Sequence, residues 1–178
     1  MRLDELQAVY RGKKVLITGH TGFKGSWLCI LLDKLGAEVV GLSLKPSETD
    51  LFHQAGIESI CQHYCADIRD FQHVDSIVSE ANPDMVFHLA AQALVGTGRE
   101  NPVETFSTNV QGTVHVLEAC RGVKSVVVAS SDKCYAPSKR FLTETDRLGG
   151  LDSYSASKAA LEHVVCAYRA QYFDGKCI

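Results

Sequence analysis

Short apolar, β-branched runs alternate with longer amphipathic stretches along most of the chain. The strand-sized runs are Lys14–Thr18, Glu38–Ser43, Gln62–Ala66, Met85–His88 and Ser125–Ser130. Between and after them, Ser26–Leu35, Phe71–Ala81, Val103–Cys120 and Tyr154–Phe173 carry helical periodicity. Alternation at βαβ intervals predicts an α/β fold with a doubly wound parallel sheet. Right-handed crossovers then give a Rossmann strand order of 3-2-1-4-5. Pro102 at a helix start and Gly36 just past a helix end stand where helix boundaries favour them. No internal repeat or low-complexity linker interrupts the pattern.

Composition narrows the class. With 178 residues, 46% hydrophobic content and a net charge of −3, the chain is expected to form one globular domain around one core. No basic patch or RNA-binding motif suggests a nucleic-acid partner. The apolar runs are too short or too interrupted for a membrane span, and Met1 to Glu5 lack the apolar core of a signal peptide, so a cytoplasmic location is expected. The seven cysteines include no CxxC pair, and the seven histidines show no metal-ligand spacing, so neither a disulfide framework nor a metal site is expected. Most cysteines read as small core residues; for Cys134, beside a candidate site, a reactive thiol is the lesser reading for want of a neighbouring histidine, and His88 reads as the cap of the fourth strand.

The first candidate for chemistry follows the first strand. Gly19-His20-Thr21-Gly22-Phe23-Lys24-Gly25 places three glycines three apart between a strand and a helix. Gly19 permits the tight turn, Gly22 lets backbone approach a pyrophosphate, and Gly25 lets the helix pack closely on the sheet. Free N–H groups at the helix start would face the anion. Gly19, Thr21, Gly22, Phe23, Lys24 and Gly25 are therefore candidate cofactor contacts.

The second lies downstream. Ser131 follows the fifth strand, where open α/β sheets bind ligands, and Tyr154 and Lys158 share one face of the last helix. An ammonium beside a phenol stabilises the phenolate, as a base for alcohol oxidation requires.

At these residues the chain resembles the extended short-chain dehydrogenase/reductase family of NAD-dependent epimerases and dehydratases. Phe87 to Gln92, Asn109 to Thr113, Ser131 to Tyr135 and Tyr154 to Lys158 carry the likeness, with the glycine turn. Gly22-Phe23-Lys24-Gly25-Ser26-Trp27 and Ser131-Asp132-Lys133-Cys134-Tyr135 are narrower, resembling the 4,6-dehydratase branch that acts on CDP-glucose.

The resemblance implies that Asp67 and Ile68 contact the adenine, that Leu89, Ala90, Ala91 and Gln92 border the dinucleotide with Asn109, and that Tyr154 and Lys158 reach the nicotinamide end. NAD is the implied cofactor. NADP stays open, because the second strand ends without the usual ribose-binding acid while Ser43 and Lys45 would suit a 2′-phosphate. On a nucleotide-sugar substrate, Tyr154 would take the C4 hydroxyl proton and Ser131 would hydrogen-bond that oxygen. Asp132 would be the acid at C6 and Lys133 the base at C5, the latter held neutral by desolvation or by a neighbouring cation.

The resemblance further implies a homodimer through the two long helices, where Ala159, Ala160, Val164, Val165 and Tyr168 span a wide arc. Relative to the family pattern, the loop Ala93 to Arg99 lacks the arginine and the aromatic at the positions near the substrate, and Gly96 and Gly98 are expected to loosen it. Asp174 to Lys176 read as a turn and Cys177-Ile178 as the start of a sixth strand. Family members continue there into a substrate domain, so the chain is either a fragment or a natural half-enzyme. Two further readings remain: a 4-epimerase or ketoreductase, needing only Ser131, Tyr154 and Lys158, and a dinucleotide-binding protein without turnover.

Overall fold

The computed structural model describes residues 2–173. The expected turn and sixth strand at 174–178 lie outside the described residues.

Five parallel strands form one sheet in the order β3-β2-β1-β4-β5. They are β1 (Lys14–Thr18), β2 (Glu38–Ser43), β3 (Cys61–Cys65), β4 (Met85–His88) and β5 (Ser125–Val128). Strands β1 and β2 are apolar because both of their faces are covered. On one face Leu16, Val40, Val86 and Val126 pack under α4 (Phe71–Ala81), α7 (Gly112–Ala119) and α8 (Ser153–Tyr172). On the other, Val15, Ile17 and Val39 pack under α2 (Phe23–Lys34) and α3 (Leu51–Gln54). Each fully buried aliphatic side chain here contributes about 1.5–3 kcal/mol through removal from water.

The expected strand order is the observed one, and element ends differ by small steps. β3 starts and ends one residue earlier than its apolar run suggested, and β5 stops at Val128 rather than Ser130. Helix α2 begins at Phe23, not Ser26, so Lys24 and Gly25 are helical.

Two departures are larger. The N-terminal Leu3–Tyr10 forms helix α1, which buries no residue and was not expected. It is held by a capping arrangement in which the Arg2 N–H donates to Glu5 Oε2 at 2.8 Å, and by Tyr10 against Phe87 with ring centroids 6.4 Å apart. The long helix expected over 103–120 is present as one helical run over 102–119, widened in its middle by a π turn. It comprises α6 (Pro102–Phe106), a π-helical turn at Ser107–Gln111, and α7, preceded by a short α5 (Val95–Glu100). The π turn lies where Asn109 and Thr113 bond sideways, and such widened turns concentrate at functional sites.

Among the described cysteines, Cys29, Cys61, Cys120 and Cys134 are buried and Cys65 and Cys166 exposed, all as free thiols. Burial pushes the Cys134 thiol up, away from the reactive thiolate.

Candidate functional site

The carboxyl ends of β1, β2, β4 and β5 open into a cleft of about 610 Å³, at the place where strand order reverses around β1. Its floor is the turn after β1. Gly19 takes φ +76°, a conformation side chains avoid, and a Cβ there would stand 2.7 Å from the Ala90 nitrogen. Gly25 sits so close under the turn that a Cβ would come within 2.2 Å of the Gly19 carbonyl oxygen. Gly22 is different: the nearest atom to its added Cβ is the Gly19 oxygen at 3.4 Å, so its open side belongs to the cleft. Gly22 is the N-cap of α2, and Thr21, Phe23 and Lys24 line the cleft beside it. Bare backbone and a helix N-terminus at one spot fit a pyrophosphate.

The rim at the ends of β2 and β3 supplies polar groups. The Thr21 and Ser43 hydroxyls hydrogen-bond at 2.7 Å, closing the side where an acidic residue would otherwise stand. The Arg69 guanidinium donates to both carboxylate oxygens of Asp67, whose carboxyl lies below the usual carboxylate range chiefly through that bonding. Ile68 is buried and forms apolar wall, as Leu89, Ala90 and Ala91 do opposite. Gln92 completes that border. These residues fit a dinucleotide: hydroxyls and a carboxylate at one end, a phosphate-sized cradle in the middle and an apolar wall beyond.

Tyr154 and Lys158 lie at the far end of the cleft, on the first turns of α8. The helix starts there because Asp152 caps it, accepting from the Ser155 N–H at 3.0 Å and the Ser155 hydroxyl at 2.8 Å. Lys158 is buried, its Nζ donating to the Ala129 carbonyl at 3.1 Å, and desolvation holds its amine below the ordinary lysine range. Gly98, expected to loosen a loop, is instead buried within α5, and its added Cβ would lie 3.4 Å from the Tyr154 Cβ. The glycine lets α5 approach the tyrosine.

Four expected site residues, Asn109, Ser131, Asp132 and Lys133, lie outside the cleft lining. Asn109 is absent from the cleft lining: it is buried and its amide is spent on neighbours, accepting from the Gln92 N–H at 2.8 Å and donating to the Gln92 carbonyl at 3.0 Å and Ser157 Oγ at 2.9 Å. Through these bonds it shapes the wall. Ser131 is not brought into the lining either, which Ala129 and Ser130 provide. Its hydroxyl caps the short 3-10 turn Asp132–Cys134, accepting from the Lys133 N–H at 3.2 Å. Lys133, expected to be desolvated or beside a cation, is 59% exposed and its Nζ lies 3.5 Å from the Asp132 carboxylate.

The sequence reading missed Leu44, Arg69, Glu104, Thr108 and Ser130 in the lining. Arg69, two positions past Asp67, had a signal in its spacing. Glu104 and Thr108 had none, since their place in the lining depends on how the helix packs beside the cleft. Among the described residues, no group of three or more His, Cys, Asp or Glu is placed to hold a metal ion, and no helix is long and apolar enough to cross a membrane.

Comparison with known proteins agrees with this geometry. Residues 15–178 match the NAD dependent epimerase/dehydratase family. The chain is 42% identical over 172 residues to the CDP-glucose 4,6-dehydratase of Salmonella typhimurium, covering 93% of this chain and 48% of that protein. It is 33% identical over 175 residues to UDP-glucuronate 4-epimerase 1 of Arabidopsis thaliana, covering 90% of this chain and 40% of that protein. Among solved structures, the UDP-glucose 4-epimerase of Thermus thermophilus in complex with NAD aligns at a TM-score of 0.78 and 33% identity, over 90% of this chain and 52% of that one. The chain thus spans about half the length of these relatives. By motif, fold and site, it belongs to the NAD dependent epimerase/dehydratase family.

Proposed function

We propose that this chain is the cofactor-binding half of a cytoplasmic nucleotide-sugar 4,6-dehydratase, using NAD and acting on CDP-glucose. The observation that carries the reading is the Asp132–Lys133 pair, an acid and an amine 3.5 Å apart on the turn after β5, next to the wall that leads to Tyr154. A 4-epimerase has no use for such a pair. The greater likeness to a CDP-glucose dehydratase than to the epimerases supports the same choice.

The cofactor, when bound, supplies a hydride acceptor and donor. Buried Lys158 offers its charge to the Tyr154 phenolate, which takes the proton of the sugar C4 hydroxyl and becomes the neutral phenol. The 4-keto group acidifies the C5 proton, which Lys133 removes, while Asp132 protonates the departing C6 hydroxyl to water. Lys133 meets this role once substrate and the remainder of the longer protein displace its solvent. Ser131 steadies the C4 oxygen after its hydroxyl leaves the local cap.

A nucleotide-sugar 4-epimerase is the second reading, favoured by the exposure of Lys133. Incubating the full-length protein with CDP-glucose and NAD separates them: a CDP-4-keto-6-deoxy sugar supports the dehydratase, and a C4 epimer without loss of water overturns it.

A homodimer belongs to the same proposal, on altered grounds. Val164, Val165 and Tyr168, expected to face a partner, pack against the chain's own core. The surface left for pairing is Val103, 82% exposed, with Phe106 and the exposed flank of α8. A monomer by light scattering at micromolar concentration would remove the dimer.

A further inference from the structure

His88, at the end of β4, is fully enclosed, and both its ring nitrogens are engaged. Nδ1 lies 2.6 Å from Thr18 Oγ1, its partner across the β1–β4 ladder, and Nε2 lies 3.0 Å from Thr113 Oγ1 on α7. Proton accounting fixes every direction. The Thr113 hydroxyl has one hydrogen, donated to the Asn109 carbonyl at 2.7 Å, so it accepts from Nε2–H. The Thr18 hydroxyl accepts the Ala90 N–H at 3.2 Å, which leaves its own hydrogen for Nδ1. The neutral Nε2–H tautomer of His88 is the one in which all four of these bonds coexist.

The two ends of this relay matter. Ala90 stands over the Gly19 turn, and Asn109 holds Gln92 and, through Ser157, the carbonyl of Tyr154, to which Ser157 Oγ donates at 2.7 Å. The α7 end is also where Thr113 back-bonds into the π turn, tying that irregular backbone to the sheet. We propose that His88, locked as the Nε2–H tautomer between Thr18 and Thr113, is a positioning residue that couples the phosphate cradle to the wall and helix carrying Tyr154. The roles of the cradle and of Tyr154 rest on the proposed function; the lock itself does not.

Burial in an apolar surround and the nearby Lys158 charge hold the ring far below the ordinary histidine range, at about 3, in keeping with a ring that stays neutral. Lys158 is the charged group facing it.

Two measurements test the proposal. Long-range nitrogen–proton NMR should place the His88 proton on Nε2, unchanged between about pH 8 and pH 5; a proton on Nδ1, or titration in that range, overturns the lock. Thr113→Val removes the acceptor for Nε2–H while keeping the shape, and Thr113→Ser restores it. Hydrogen exchange at the Ala90 and Gln92 amides should quicken in Thr113→Val and return to the parent rate in Thr113→Ser. NADH affinity should weaken about 5–10-fold in the valine variant and stay within about 2-fold in the serine variant. A valine variant that melts earlier but keeps both the amide protection and the NADH affinity makes His88 merely structural and overturns the proposal. A parent protein that binds no NADH removes the cofactor reading, while the tautomer and the exchange rates still decide the lock.

Discussion

Asn109 grips the main chain of Gln92 from both sides, its side-chain oxygen taking the N–H at 2.8 Å and its nitrogen giving to the carbonyl at 3.0 Å. That pairing imitates one rung of a sheet at a point where β4 has already ended, so the backbone leaving β4 is held in line as the cleft wall. The third bond, to Ser157 Oγ, fastens the same amide to the helix that carries Tyr154.

Asn109→Asp should consequently destabilise the protein rather than merely weaken a ligand. An ionised carboxylate donates nothing, so the Gln92 carbonyl and Ser157 Oγ would lose a donor inside the protein, at about 1–3 kcal/mol for each unsatisfied buried group. Urea unfolding reads the loss directly. A variant as stable as the parent but poor at binding NADH would mean that Asn109 touches cofactor after all.

The glycines of the turn should fail in different ways. Gly22 has φ −74° and ψ 167°, which valine adopts freely, and its added Cβ meets nothing closer than 3.4 Å. Gly22→Val should fold, losing at most about 1 kcal/mol at the helix cap, and should abolish NADH binding by filling the cradle. Gly25→Ala forces a Cβ to 2.2 Å from the Gly19 carbonyl oxygen and should cost about 1–3 kcal/mol or more in stability. NADH fluorescence titration with parallel melting curves checks both. Undiminished affinity in Gly22→Val would remove the phosphate-cradle assignment.

Acid should destabilise the fold well above the carboxylate range. Burial lowers His20 to about 4, with His63 adding to the effect, and lowers His88 to about 3. Because the folded values lie below the unfolded one, the unfolded chain takes up more protons as pH falls below the ordinary histidine range. Stability is complete above that range and is lost as acid is added. At pH 5 the loss is about 2 kcal/mol for each of the two rings relative to pH 7. The depressed carboxyls of Asp67, Asp84, Asp146 and Asp152 act only at lower pH and do not confuse the window. Urea midpoints that coincide at pH 7 and pH 5 would refute the burial of both rings as neutral species.

The sheet was legible because its signal is local and repeated. Each strand of the centre is covered on both faces, which leaves an unbroken apolar run such as Val15-Leu16-Ile17, and the glycine turn follows it within one residue of the strand end. That Tyr154 and Lys158 share one face of a helix was legible from their spacing, and their place at the cleft from the glycine turn and the strand ends that precede them. Other features depend on partners distant in sequence. Asn109 carries the same letter whether it contacts a ligand or spans to Gln92 and Ser157, and the π turn that aims it depends on tertiary bonds, so periodicity read straight through 103–120. Gly98 looked like slack because glycine in a loop and glycine against a tyrosine have the same sequence signature. Helix α1, which buries no residue, was not expected.

The sharpest separation of steps concerns Tyr154 and Lys133 in the full-length protein. Tyr154→Phe removes the only proton acceptor proposed at C4 while keeping the ring beside Gly98, and should lower turnover about 10²–10⁴-fold with NADH affinity retained. Lys133→Ala touches none of the cleft lining and removes an exposed side chain, so the variant should fold and bind cofactor as the parent does. It should still oxidise C4, because Tyr154 and Lys158 are intact, yet fail to expel water because the C5 proton has no acceptor. The expected record is NADH absorbance that rises on adding CDP-glucose and does not decay, in place of the parent's silent turnover. Formation of the 4-keto-6-deoxy product by Lys133→Ala at the parent rate would strip Lys133 of its role. The same rate from Asp132→Asn would strip Asp132 as well, and the pair would then be no more than the solvated cap of a short turn.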